Sequence, residues 1–353
     1  MLLDARLLAC LVVLPLSGCG GLYLAQAAAG QWQVMAAREP ISAVTADPAT
    51  PPRLRARLEE VVAARDFASR ELALPDNASY RAYAAIGREY VVWNVVAAPE
   101  FSVVPLEWCF PVAGCVTYRG YFRERRARDY ALGLEARGYD VVVGGVAAYS
   151  TLGRFADPVL SSMLAYGDTQ LAAIIFHELA HQVVYVPGDS AFNEAFAVTV
   201  EQAGLARWLA ARGEAGELDE WRRRRAGQAV VAALFGTRRD ELRRLYAGPL
   251  AAPAKRAAKR AILRGLVDDL RAFEARTGLP SGYSHWFDAG LNNAQLASVA
   301  TYFGCVPGFE RLLNEAGGDL PRFYAAVSAL ASRPSAARAA LCVPAGAAVS
   351  AAE

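Results

Sequence analysis

The segment Ile175-Phe176-His177-Glu178-Leu179-Ala180-His181-Gln182 constrains this chain more than any other. Its apolar residues follow helical spacing, and residues four apart on a helix lie one turn above each other on the same face. His177 and His181 can therefore aim ring nitrogens at a single point. Two imidazoles and a carboxylate on a mostly apolar helix are costly to bury without compensation, and a bound metal ion compensates them. Glu178, beside the first imidazole, is placed to take a proton from a water that such an ion activates. The chain has only three histidines, and two of them are in this motif.

A second pattern follows closely: Ser190-Ala191-Phe192-Asn193-Glu194-Ala195-Phe196-Ala197, running on to Glu201. Val186-Pro187-Gly188 reads as a turn, after which Asp189 or Ser190 is a suitable N-cap. A helix starting there presents Glu194 and Glu201, seven residues apart, on one face.

Composition sets the frame. The 353 residues are 54% hydrophobic and 20% charged, with a formal charge of +2. Disorder of the whole chain is excluded, no basic excess points to nucleic acid, and no run reaches the roughly 20 apolar residues of a spanning helix. Residues 1–18 have the form of a signal peptide, with an apolar stretch from Leu7 to Leu16. Leu16-Ser17-Gly18-Cys19 resembles the lipobox of bacterial lipoproteins, which makes Cys19 the expected lipidated residue; cleavage after one of Ala25 to Ala29 is the alternative. Gly20 in place of Asp points to the outer membrane, facing the periplasm. Cys109, Cys115, Cys305 and Cys342 then remain, allowing three pairings or four free thiols. Cys109–Cys115 with Cys305–Cys342 is the expected set, and no CxxC spacing suggests a cysteine-ligated metal.

Between these landmarks the chain divides into a membrane-proximal helix and linker (19–52), a main domain (53–343) and a flexible tail (344–353). Strands rich in Val, Tyr and Phe are expected at 90–97, 101–106, 116–122 and 139–149, with a charged helix at 123–137. Helices are expected at about 169–186, 190–212, 217–235, 239–247, 254–277, 293–303, 308–315 and 320–332. The arginine run 222–225 lies beside acids and reads as a solvated face.

His-Glu-Leu-Ala-His-Gln followed by Asn-Glu-Ala-Phe-Ala resembles the zinc site of the gluzincin aminopeptidases, the alanyl and leucyl group. That resemblance implies His177, His181 and Glu194 as zinc ligands and Glu178 as general base, with Asn193 and Glu201 supporting them. Only twelve residues separate His181 from Glu194, fewer than in that group, so the connection must turn tightly. A resemblance to a family of bacterial lipoproteins assigned as aminopeptidases covers most of the chain. It is carried by Gly18-Cys19-Gly20, Gly30-Gln31, Tyr90 to Pro99, Gly114 to Phe122, Asp157-Pro158-Val159-Leu160 and Leu291-Asn292-Asn293-Ala294. An astacin-like site fails, because Val184 and Pro187 stand where it needs Gly and His. Asp189 as third ligand stays open, though it suits the turn better.

Together these features predict an α+β, zincin-like fold with a small mixed sheet packed on the His177–His181 helix and a mainly helical C-terminal half. The resemblances imply a lipid-anchored zinc peptidase acting on short peptides, chiefly from their N-termini. The alternatives are an endopeptidase acting on envelope proteins or wall peptides, and a non-catalytic zinc-binding lipoprotein. The oxyanion donor is sought among Tyr246, Tyr283 and Tyr302, with His285 nearby. The strand over 115–122 is a candidate edge for an extended peptide, with Arg119 or Glu124 to hold one of its charged ends.

Overall fold

The computed structural model describes residues 19–342, apart from 111–113, 149, 289 and 304. The signal segment 1–18, the tail 344–353 and the side chain of Tyr302 lie outside the described residues.

The expected α+β composition is present, but the strands form three small sheets rather than one. Strands β1 (Arg38–Pro40), β2 (Ala82–Ala84) and β8 (Val159–Leu160) make a mixed sheet in the order β1-β2-β8. Strands β3 (Val92–Pro99), β6 (Arg119–Tyr121) and β7 (Tyr139–Val146) make an antiparallel one in the order β6-β3-β7. Strands β4 (Trp108–Phe110) and β5 (Gly114–Val116) form a hairpin closed by the Cys109–Cys115 disulfide. The expected strand at 101–106 is irregular chain: Pro105 cannot serve a ladder, and Ser102 and Val104 close a local turn instead.

Period-2 alternation sorts the β6-β3-β7 sheet into two faces. Val95, Ala97, Tyr121 and Val141 pack against Ala127, Ala131 and Leu134 of α4 (Glu124–Glu135). Val92, Asn94, Gly120 and Val146 face the other way, into a cavity.

Helix α1 (Cys19–Ala36) and the stretch after it, the expected membrane-proximal helix and linker, pack against the rest of the chain. Tyr23 stacks on Phe110 at 5.3 Å, and Gln26 bonds both Gly120 O and Phe122 N on the free edge of β6. Val34, Ile41 and Val44 sit in the main core, the last two on α2 (Ile41–Ala46). Gly30 is pressed against Phe122 so closely that a Cβ would fall 2.1 Å from its ring.

The main core joins α3 (Pro52–Glu71), α5 (Asp168–Ala180) and α6 (Ser190–Ala211), and continues into α10 (Val306–Glu315) and α11 (Leu320–Ala331). A second core lies between α7 (Ala215–Ala247), α8 (Ala252–Thr277) and α9 (Asn293–Phe303). The break expected within 235–239 is absent: α7 is continuous because Phe235 and Leu242 are held against the Leu263–Leu270 face of α8, which outweighs the roughly 1 kcal/mol that a helical glycine such as Gly236 costs. Arg222, Arg223 and Arg224 are exposed and paired with Asp219 and Glu220, as a solvated face requires, whereas Arg225, the last of the run, is half-buried. Short α12 (Ser335–Ala339) follows α11, and the Cys305–Cys342 disulfide ties the segment after α12 to the start of α10. Both disulfides are the expected pairs.

Candidate metal centre

The His177–His181 motif occupies the last turn of α5. The helix ends at Ala180, earlier than the expected 186, since β-branched Val183 and Val184 lead into Pro187; His181 is the C-cap residue. The chain then reverses within the short turn Val186-Pro187-Gly188. Asn193 clamps that turn, its side chain accepting from Val186 N and donating to Val186 O, both at 2.8 Å. Gly114 packs against the same turn, where a Cβ would lie 2.6 Å from Gly188 N. Asp189 caps α6 through Phe192 N and takes the guanidinium of Arg338 at 2.7 Å. Both of its oxygens are therefore engaged in structure, as the turn reading anticipated.

Folding α6 back along α5 brings Glu194 to the two imidazoles. The Nε2 atoms of His177 and His181 are 3.2 Å apart. Glu194 Oε2 is 3.4 Å from His177 Nε2, and its Oε1 is 3.9 Å from His181 Nε2. All three residues offer donor atoms within 4.8 Å of one another. A tetrahedral ion with ligands at about 2.0–2.1 Å needs donors about 3.3 Å apart, so the set fits a metal ion. Glu201, one heptad along α6, holds His177 Nδ1 at 3.0 Å, which fixes the tautomer and turns the Nε2 lone pair towards the triad. His181 Nδ1, by contrast, is buried with no partner among the described residues.

Burial governs the electrostatics. It pulls His181 down to about 4 and pushes Glu178 up to about 7, against the opposing pull of His177. For His177, burial favours the neutral ring, but hydrogen bonds to Glu194 and Glu201 outweigh it and hold the group well above the ordinary histidine range. Glu194 shows the mirror image: burial raises its carboxyl, and the His177 hydrogen bond brings it below the usual value.

The triad and Glu178 open onto a cavity of about 800 Å³. Its walls come from α1, the inner face of the β6-β3-β7 sheet and the 148–155 loop. A larger cavity of about 1190 Å³, bounded by α6, α7, α9 and α10, contains none of these four residues.

Several expected contacts lie elsewhere. Tyr246 donates to Asn293 Oδ1 at 2.8 Å, and Asn293 in turn bonds Pro99 O and Glu100 O. The Leu291–Ala294 stretch is thus a strut between helices and sheet, and Tyr246 belongs to it. Tyr283 packs in the second core on Phe235 and Trp286, while His285 is exposed beside Trp286. Arg119 points to the α4 face of its strand, over the rings of Tyr23 and Tyr130 at 4.1 and 4.7 Å. Glu124 opens α4 rather than ending a strand, and pairs with Arg128. The β6 edge suggested for peptide pairing is occupied by Gln26.

Other residues line the cavity without having been singled out for chemistry: Gln31, Asn94, Tyr118, Ser150 and Tyr185. The ring of Tyr185 is 6.5 Å from that of His181. Gln31 and Asn94 fall within stretches already noted for their resemblance, which was the one sequence signal available for them.

The family model described as "Putative aminopeptidase" matches residues 22–341. The chain belongs to that family. No curated protein and no solved structure matches it. The match begins inside α1, so the family region includes the helix that walls the cavity.

Proposed function

We propose that the protein is a zinc peptidase of gluzincin type on a zincin-like scaffold, removing residues from the N-termini of short peptides. The supporting observation is the convergence of His177, His181 and Glu194 at 3.2, 3.4 and 3.9 Å, with Glu201 behind His177 and Glu178 on the same cavity wall. The amino-terminal direction rests on the family name.

A zinc ion bound by these three residues supplies Lewis-acid polarisation of a carbonyl and a lowered pKa for water. Glu178 accepts the proton of the attacking water and returns it to the leaving amine. Its burial, which raises its proton affinity, suits it to both halves of that transfer. Glu201 keeps His177 oriented throughout. Tyr185 takes the place of the more distant tyrosines as donor to the developing oxyanion.

Cys19 is proposed as the lipid-bearing residue, on the strength of Leu16-Ser17-Gly18-Cys19, with the protein in the outer membrane facing the periplasm. No helix among the described residues is long and apolar enough to cross a membrane.

Metal analysis of the chain beginning at Gly20 is expected to find one zinc, lost in His177→Ala. Glu178→Gln is expected to keep zinc and lose hydrolysis. A zinc-free wild-type protein would overturn the reading, as would equal turnover by Glu178→Gln. Faster cleavage of N-blocked than of free peptides would overturn the aminopeptidase direction alone.

A further inference from the structure

Buried polar atoms in native proteins are almost always hydrogen-bonded. Besides His181, two side chains in the wall of the Glu178 cavity have buried polar atoms with no partner among the described residues. On α1, both Oε1 and Nε2 of Gln31 are buried without a partner, and on β3 so is Oδ1 of Asn94. Their neighbours cannot serve them. Gln26, one turn and a little more before Gln31, is engaged with the edge of β6. The residue preceding Gln31 is Gly30, pressed on Phe122.

Asn94 stands in a distinctive place. Its two cross-strand partners are both glycine, Gly120 on β6 and Gly144 on β7. A Cβ at Gly120 would meet Asn94 Oδ1 at 3.2 Å, whereas one at Gly144 would meet nothing within 4 Å. Three neighbouring strands therefore carry a single carboxamide flanked by bare backbone on the face that looks into the cavity. Glycines within strands mark places where a ligand or another backbone approaches closely. The carboxylates lining the cavity are Glu178, Glu194 and Glu201, of which the last two hold the imidazoles. The exposed Arg154 and the phenols Tyr118 and Tyr185 also line the cavity, but its unpaired buried side-chain groups outside the metal centre are the neutral amides of Gln31 and Asn94, matched to the N–H and C=O of a peptide unit. Around them the wall is apolar, with Val92, Val116, Phe122, Val146 and Leu152.

We infer that Gln31 and Asn94 hold the main chain of the substrate in the groove cleared by Gly120 and Gly144, and that the substrate class is short peptides with apolar side chains. The inference rests on the peptidase reading above. It explains why the helix over Cys19–Ala36 is built into the wall of a site made by helices that begin more than 130 residues later. It also gives the Gly30-Gln31 and Val92-Trp93-Asn94-Val95 stretches a role that the metal centre does not absorb.

The test uses zinc-loaded Glu178→Gln protein, in which bound peptide is not consumed, titrated calorimetrically with leucyl-leucinamide. Adding Gln31→Leu or Asn94→Leu is expected to weaken binding about tenfold or more, as loss of a buried hydrogen bond does. Zinc content should not change. Melting temperature should stay level or rise, because an apolar side chain replaces an unpaired amide. Gly144→Val, which keeps both amides but sets a branched side chain directly across from Asn94, should weaken binding to a similar extent. Unchanged affinity in these variants would overturn the inference, and so would weaker binding accompanied by a lower melting temperature, since the amides would then be structural. Failure of the zinc-loaded parent to bind the peptide at all would remove the peptidase reading and this inference with it.

Discussion

Glu201 is not one of the three converging residues, yet it decides how His177 presents itself. Its carboxylate at 3.0 Å from Nδ1 keeps that nitrogen protonated and leaves Nε2 free to bind a cation. Glu201→Gln is expected to lower zinc affinity about 10–100-fold, measured by competition with a chromogenic chelator, while the fold remains. His181 has no such partner among the described residues, so the two histidines are unequal and the loss should not be matched by any substitution behind His181. Tyr185 offers a different readout. In the proposed role of oxyanion donor it would act on the transition state more than on bound peptide, so Tyr185→Phe should lower kcat about 10²–10³-fold with KM little changed. A change in KM alone would assign Tyr185 to peptide binding.

At the scale of elements, the loop between β7 and β8 is where site and stability meet. Leu152, Arg154 and Phe155 line the cavity from this loop, and Leu152 adopts a left-handed φ of 58°. Asp157 holds it in shape: its buried carboxylate accepts from Thr151 N at 2.8 Å and Thr151 Oγ at 2.9 Å. Burial lifts the Asp157 carboxyl above its ordinary 3.8, and the Thr151 hydrogen bonds only partly offset this. With the folded value above the unfolded one, the favourable contribution is complete below pH about 3.8 and is lost as pH rises through the folded value. Asp157→Asn, which keeps an acceptor and removes the charge, should therefore melt at or above wild type at pH 7. That advantage should vanish as pH falls towards 4. Asp157→Ala leaves Thr151 N–H unpaired and should cost about 1–3 kcal/mol, with a raised KM as the loop loosens. Thermal melts across pH check both.

The same loop shows where sequence reading stops. Asp157-Pro158-Val159-Leu160 was visible as a motif but not as a capping device, because its partners Ser150 and Thr151 act through tertiary burial. The α5 and α6 residues were legible for the opposite reason. A period of 3.6 puts His177 over His181, and a period of seven puts Glu201 on the face of Glu194. Asp189, Pro187 and Gly188 marked the turn between them. Arg119 failed for want of one bit of information: alternation along β6 was clear, but which face met the cavity was set by α4 packing on the other. Tyr246 and Tyr283 failed because order along the chain says little about which helical layer a tyrosine joins.

For the whole molecule, the decisive question is whether the N-terminal helix is a tether or a wall. A tether between a lipid and an enzyme tolerates deletion, while a wall does not. Tyr23 stacks at 5.3 Å on Phe110 and meets Tyr121 edge-on at 5.5 Å. Gln26 covers the free edge of β6, Gly30 lets Phe122 dock, and Val34 enters the main core at 3% exposure. Removing 19–36 would uncover the Tyr121 and Phe122 side chains, free an edge strand for non-native pairing and delete Gln31 from the cavity. A chain starting at Gly20 should accordingly be soluble, zinc-bound and active. One starting at Ala37 should melt at least about 3 °C lower, consistent with losing roughly 2 kcal/mol or more from a domain of this size, and should lose peptide binding while its His177, His181 and Glu194 residues remain. Equal stability and activity of the two chains would make α1 a tether after all. An unstable Ala37 chain that still binds zinc would place the wall in α1 and the metal centre in α5 and α6, two parts of one site contributed from distant stretches of the chain.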